Sequence, residues 1–158
     1  MKITVEGVLN KKGHDVWTVS PQTSVYEALV LMADKNIGAV VVMEEEKIVG
    51  ILSERDYARK VIIKGRSSKD TPVADIMTPL VCAVPPWRTI DECMALMTAR
   101  RVRHLPVLKK DGKLDGIVSI GDVVKAIISE QEFVIQELEA FVDEALKNPD
   151  KERRRPSV

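Results

Sequence analysis

One stretch of the chain occurs twice, and this repeat restricts the possible folds more than any other feature. Val16-Trp17-Thr18-Val19-Ser20-Pro21-Gln22-Thr23-Ser24-Val25 aligns with Val81-Cys82-Ala83-Val84-Pro85-Pro86-Trp87-Arg88-Thr89-Ile90 at an offset of 65, with Val16/Val81, Val19/Val84 and Pro21/Pro86 identical. The register continues through Glu27/Glu92, Leu31/Leu96, Met32/Met97 and Val42/Val107. One inserted residue near Gly112 moves the offset to 66, after which Gly50/Gly116, Ile51/Ile117, Ser53/Ser119 and Asp56/Asp122 coincide. Self-similarity on this scale marks supersecondary units that bury their apolar faces against one another.

Each copy reads as βαββα. In the first, Val16 to Val19 is a short β-run stopped by Ser20-Pro21. Val25, Ala28, Leu29, Met32 and Ala33 follow at the three-four spacing of one buried helical stripe. Ile37 to Met43 is a continuous apolar run of strand length, suited to burial on both faces. Glu44 to Lys47 forms a solvated hairpin turn, Ile48 to Leu52 returns as a strand, and Ser53 starts a second helix through about Ile63. Neither copy has a comfortable core of its own. The fold class is therefore α+β: two βαββα repeats packed face to face with pseudo-two-fold symmetry, plus a C-terminal helix. The divisions are an N-terminal segment (1–15) with a short helix on Val5, Val8 and Leu9, repeat 1 (16–64), a linker (65–78), repeat 2 (79–129), a helix (130–147) and a flexible tail (148–158). Phe133, Val134, Leu138, Phe141, Val142 and Ala145 give the last helix a packing stripe suited to a second subunit.

Composition narrows the function classes. The 158 residues carry 24 Lys plus Arg and 24 Asp plus Glu, so the broad positive field of most nucleic-acid binders is missing and no nucleic-acid partner is expected. No run reaches the roughly 18 apolar residues of a membrane span, and the N-terminus has no secretory pattern. Cys82 and Cys93 form neither a redox CxxC nor a zinc set, and His14 and His104 are the only histidines. A cytoplasmic protein without membrane or metal partners is expected.

The chemistry lies in a motif that the repeat doubles. Gly50-Ile51-Leu52-Ser53-Glu54-Arg55-Asp56 and Gly116-Ile117-Val118-Ser119-Ile120-Gly121-Asp122 both read G-h-h-S-x-x-D, where h is apolar, at a strand-to-helix junction. A capping box explains Ser and Asp at this spacing without any ligand. Its recurrence in register favours a second reading: a Ser hydroxyl and free N–H groups at a helix start hold phosphate, and an Asp one turn on accepts ribose hydroxyls. No Ser-His-Asp or Cys-His arrangement is visible, so the chain is read as non-enzymatic, with no catalytic residues.

Residues 8–129 resemble the paired cystathionine-β-synthase (CBS) domain, or Bateman module, through the doubled G-h-h-S-x-x-D, the βαββα order, Asp75-Ile76-Met77-Thr78 and Arg103-His104-Leu105-Pro106-Val107. The whole is similar to stand-alone bacterial CBS-pair signal-transduction proteins. The resemblance implies a regulatory module that binds adenosine ligands (AMP, ATP or NAD(H)) between the repeats, with no catalytic cofactor, forms a homodimer and acts on an unknown partner protein. It also implies two sites: Ser53 and Asp56 with Met77, Thr78, Val81 and Cys82, and Ser119 and Asp122 with Lys12, Gly13, Val16, Trp17, Gly38 and Ala39. Arg103 and His104 fall where phosphate-contacting residues are expected. Because Gly38-Ala39 replaces them in the first copy, the two sites need not hold the same ligand. Unless Arg55 offsets it, the acidic Glu54 is expected to make the Asp56 site prefer AMP, leaving more highly charged ligands to the Asp122 site. The alternative is a structural dimerisation domain with vestigial ligand sites.

Overall fold

The computed structural model describes residues 2–79 and 82–149. Helix α1 (Val5–Lys12) leads into repeat 1, which comprises β1 (Thr18–Val19), α2 (Val25–Lys35), β2 (Ala39–Glu44), β3 (Lys47–Ser53) and α3 (Glu54–Tyr57). The last of these widens into a π-helical turn over Ala58–Ile62. A 3-10 turn (Val73–Asp75) and β4 (Thr78–Pro79) connect to repeat 2, with α4 (Ile90–Arg100), β5 (His104–Leu108), β6 (Leu114–Ser119) and α5 (Ile120–Lys147).

Local chemistry sets the same limits in both copies. Ser24 and Thr89 cap α2 and α4 by accepting from the N–H of Glu27 and Glu92, and Asn36 and Arg101 end those helices in the left-handed conformation. Strand β2 runs parallel to β1 and antiparallel to β3, whose other edge carries β4. In the second sheet β5 and β6 are antiparallel, and the expected first strand is reduced to a single parallel bridge, Val84 to Val107. Pro85 and Pro86 cut that strand short, because neither can donate to a ladder.

The segments ahead of the repeats are exchanged. Val73, Ile76 and Met77 precede repeat 2 yet pack into the core of repeat 1 with Val25, Met32, Val40 and Leu52. Val5, Val8 and Leu9 precede repeat 1 yet pack into the core of repeat 2 with Ile90, Met97, Leu105 and Val118. The backbone bonds match pair by pair: Val73 N–H to Thr23 O (2.8 Å) mirrors Val5 N–H to Arg88 O (2.8 Å), and Ala74 N–H to Pro21 O (2.9 Å) mirrors Glu6 N–H to Pro86 O (2.8 Å). The part of the linker that carries Val73 and Ile76 is thus core rather than tether.

One boundary differs from expectation. No helix begins near residue 130; α5 runs unbroken from Ile120 to Lys147. Neither Gly nor Pro interrupts it after Gly121, and Ile127, Val134, Leu138 and Phe141 keep the apolar stripe in one phase. The tail beyond Pro149 lies outside the described residues.

Candidate nucleotide site

Both G-h-h-S-x-x-D motifs place Ser at the N-cap and Asp in the first helical turn. Ser53 Oγ accepts from Asp56 N–H (3.2 Å), while Asp56 Oδ2 accepts from Ser53 N–H (3.0 Å) and its hydroxyl (3.1 Å). Ser119 Oγ accepts from Asp122 N–H (3.2 Å), and Asp122 Oδ2 accepts from Ser119 N–H (2.8 Å). The capping box is therefore present at both junctions. The opposing strand also helps: Gly38 O accepts from Glu54 N–H (3.0 Å) and Arg103 O from Ile120 N–H (2.8 Å). These bonds hold Gly38 and Arg103 beside the helix starts.

The motif glycines have a steric reason. A Cβ on Gly50 would stand 2.7 Å from Thr78 O and 2.9 Å from Met77 Sδ; one on Gly116 would stand 2.8 Å from both Leu9 methyl carbons. Glycine lets each exchanged segment lie flat on its strand. At the first junction this brings Thr78 Oγ to donate to Asp56 Oδ1 (3.0 Å), which also takes Lys60 Nζ (3.1 Å). At the second it brings Lys12 Nζ to Asp122 Oδ2 (2.6 Å) and Ile117 O (2.8 Å).

A cavity of about 580 Å³ opens between the repeats at the first junction. Ser53, Asp56, Thr78 and Cys82 line it with Gly38, Arg103 and His104. Gly38, grouped with the Asp122 site on sequence grounds, thus faces the Asp56 cavity. At the second junction Lys12 joins Ser119 and Asp122, and Gly13 ends α1 at φ 106°. The remaining candidates stand apart from the cavity wall: Ala39 is buried at the start of β2, Val16 is half-buried ahead of β1, Trp17 packs under Lys35 Nζ (4.1 Å), and Met77 sits against the repeat 1 core. Val81 lies outside the described residues. Sequence reasoning weighed Arg55 only as an offset to Glu54, and missed Arg59, Lys60 and Arg101 on the cavity wall. Arg55 and Arg59, four apart at the start of a helix, share a face, and comparing Asn36-Ile37-Gly38-Ala39 with Arg101-Val102-Arg103-His104 would have pointed to Arg101.

The electrostatics differ between the junctions. Burial alone would raise the Asp122 carboxyl; the Lys12 hydrogen bond, the Ser119 N–H, the Lys12 charge and the Ser119 hydroxyl together draw it below its ordinary value. Burial first, and then the Lys12 and Arg103 charges, lower the His104 pKa against an opposing pull from Asp122. His104 thus lines the first cavity while sensing charges at the second junction. Among the described residues no cluster of His, Cys, Asp and Glu could hold a metal ion, and no helix is long and apolar enough to cross a membrane.

Fold and site together define a tandem α+β module with a polar cleft between two helix starts. The chain belongs to the CBS domain family, whose model matches residues 5–63 and 73–129. It is 42% identical over 149 residues to the mitochondrial CBS domain-containing protein CBSX3 of Arabidopsis thaliana, covering 88% of this chain and 71% of that one. A protein described as a signal-transduction protein with CBS domains, from Burkholderia ambifaria, is 51% identical with a TM-score of 0.77 over 82% of this chain and 96% of its own. A CBS domain protein of Pyrobaculum aerophilum complexed with AMP shares the fold at 22% identity, with a TM-score of 0.68 over 76% of this chain and 89% of its own.

Proposed function

We propose that this CBS pair is an adenosine-nucleotide sensor that binds AMP, ATP or NAD(H) between its repeats and passes the bound state to a partner protein. The observation that carries this reading is the cavity at the first junction, where repeat 1 supplies Ser53 and Asp56 and repeat 2 supplies Arg103 and His104. Its volume suits a small ligand. Asp56 is the acceptor for ribose hydroxyls, Ser53 and Arg103 are phosphate contacts, and Thr78 and Cys82 flank the base. Ser119 and Asp122 form the second, pseudo-symmetric site, with Lys12 and Gly13 beside them. The AMP complex of the Pyrobaculum aerophilum protein supports the ligand class. A ligand touching both repeats shifts their arrangement by its differential affinity for the two states, which is what a partner would read. No catalytic residue is assigned, and a homodimer built in part on α5 completes the proposal. Calorimetry with AMP, ATP and NADH tests it: binding that Asp56→Ala abolishes or weakens supports the sensor, and no heat or thermal shift with any of the three refutes it.

One observation favours the second reading, a structural dimerisation domain with vestigial sites. Both aspartates are engaged as capping groups, and Asp122 also carries an ion pair, so each has a structural task without any ligand. That reading predicts the aspartate variants to lose stability alone.

A further inference from the structure

The first cavity collects more positive charge than a nucleoside monophosphate needs. Arg55 and Arg59 come from repeat 1, Arg101 and Arg103 from repeat 2, and among the described residues none of the four forms an ion pair. The fifth cation on the wall, Lys60, is taken by Asp56 at 3.1 Å. Among the described residues Glu54 is the only other carboxylate lining the space, which leaves four arginines against one acid. The crowding is felt: the charge of Arg59 first, and of Arg103 second, holds the Arg55 guanidinium below its ordinary value. Without a ligand, like charges face each other across the junction of the repeats.

The backbone at Arg101 adds a second observation. It closes α4 at φ 55°, ψ 40°, in the left-handed region that long side chains disfavour. Its counterpart in repeat 1 is Asn36, at φ 53°, ψ 49°, a residue that tolerates this conformation. Repeat 2 thus keeps a strained arginine where its twin uses the comfortable residue, and that arginine lines the cavity. Strain retained at a ligand wall points to a use for the side chain.

We propose that the Asp56 cavity is a polyphosphate site, selecting a nucleoside di- or triphosphate or a dinucleotide over a monophosphate, with the arginines of the two repeats closing on the linked phosphates. This rests on the reading that Asp56 holds the ribose. A monophosphate ester carries only about 1.5 to 2 negative charges at neutral pH, too few for the net excess here, and each further phosphate in the chain adds more. Guanidinium forks suit such oxygens bidentately. The order of charge preference between the two sites is the reverse of that expected from Glu54: at the second junction the lysine is already spent on Asp122 at 2.6 Å.

The test is calorimetry on the full chain with AMP, ADP, ATP and, as a probe without sugar or base, inorganic tripolyphosphate. ATP is expected to bind at least roughly ten-fold tighter than AMP, with the steeper salt dependence, and tripolyphosphate is expected to compete with it. Arg101→Asn removes one charge-assisted contact and the strain together. It should raise the melting temperature of the free protein while weakening ATP roughly 10- to 150-fold, with a smaller loss for AMP. Arg55→Ala and Arg59→Ala should each weaken ATP more than AMP. Equal affinity for AMP and ATP, or unchanged ATP affinity in Arg101→Asn, overturns the polyphosphate site while leaving the nucleotide sensor standing. Tripolyphosphate binding without any response to ATP or AMP overturns the sensor and keeps the anion site, and no binding of any probe overturns both.

Discussion

The Asp56 carboxylate serves a helix start, a lysine and a threonine at once. It is only 8% exposed, with Ser53 on one oxygen and Thr78 and Lys60 on the other. Asp56→Ala is expected to cost about 1–3 kcal/mol of folding stability and, for ribose binding, roughly 10- to 150-fold in affinity at its own site. Denaturant melts read the first and calorimetry the second; a stability loss with unaltered affinity would reduce the residue to a cap. His104 gives a pH signature. Its folded pKa is lowered by burial and by Lys12 and Arg103, so the unfolded chain takes up a proton near the ordinary value of about 6.5 that the folded chain refuses. Stability from this group is complete above that pH and falls as pH drops through it, and His104→Gln should flatten the slope between about pH 7 and 5 in chemical denaturation. Asp122, whose pKa is lowered, acts in another window: its contribution is present above the ordinary carboxylate value and is lost only in stronger acid. The two cysteines should also separate. Burial first, against the Arg88 charge and with a smaller push from Glu92, raises Cys93 to about 11, and it is fully buried. Cys82 is half-buried on the cavity wall, with its thiol raised by burial against the pull of Arg100. A thiol-disulfide reagent should modify Cys82 in the folded protein and Cys93 only on unfolding, and bound nucleotide should slow the former. Rates for Cys82 unaffected by saturating ATP would argue against a base lying beside it.

At the scale of elements, the exchanged segments and the glycines beneath them are one device. Gly116→Ala drives a methyl into Leu9, which is itself fully buried, and overpacking of this kind costs about 1–3 kcal/mol. Hydrogen exchange should then accelerate over α1 more than over α2; equal protection in variant and parent would mean that α1 is held by something other than this contact. Lys12→Met removes the partner of Asp122, so that carboxyl should titrate higher than in the parent, which NMR of the side chain would show. The repeat, the helical stripes and the capping boxes were legible in the sequence because each is encoded locally: Val25, Ala28 and Met32, or Ser53 with Asp56, sit at spacings that carry their own geometry. The docking of Val73 and Ile76 was not, because an apolar pair after Pro72 satisfies either core equally and only the tertiary arrangement decides. Arg101 has no local signal either, since nothing nearby marks an arginine for the left-handed region; only its alignment with Asn36 across the repeat points to it. The unbroken α5 was obscured by reading repeat 2 as a copy of repeat 1, whose helix stops at a π-helical turn.

For the whole molecule, the exposed apolar surface of α5 is what the proposed homodimer would use. Phe133, Phe141 and Leu146 are 60%, 61% and 76% exposed, and Ile62 and Ile63 at the end of repeat 1 are open as well. Contiguous apolar surface of this extent is the kind that a second subunit would cover. Sedimentation should give a dimer or larger at micromolar concentration, and Leu138→Glu with Phe141→Glu should shift it toward monomer; a monomeric parent would remove the homodimer. The exchange of leading segments also has a consequence in time. Lys12 and its acceptor Ile117 O lie 105 residues apart, so α1, which precedes every other described helix, has no complete seat until β6 exists. At about 5–20 residues per second, it waits on the order of 5 to 20 seconds outside the ribosome with Val5, Val8 and Leu9 in water. Repeat 1 faces no such delay, since Val73 and Ile76 follow it at once. The helix that precedes both repeats is therefore among the last of their elements to be buried, and its arrival closes the core of repeat 2.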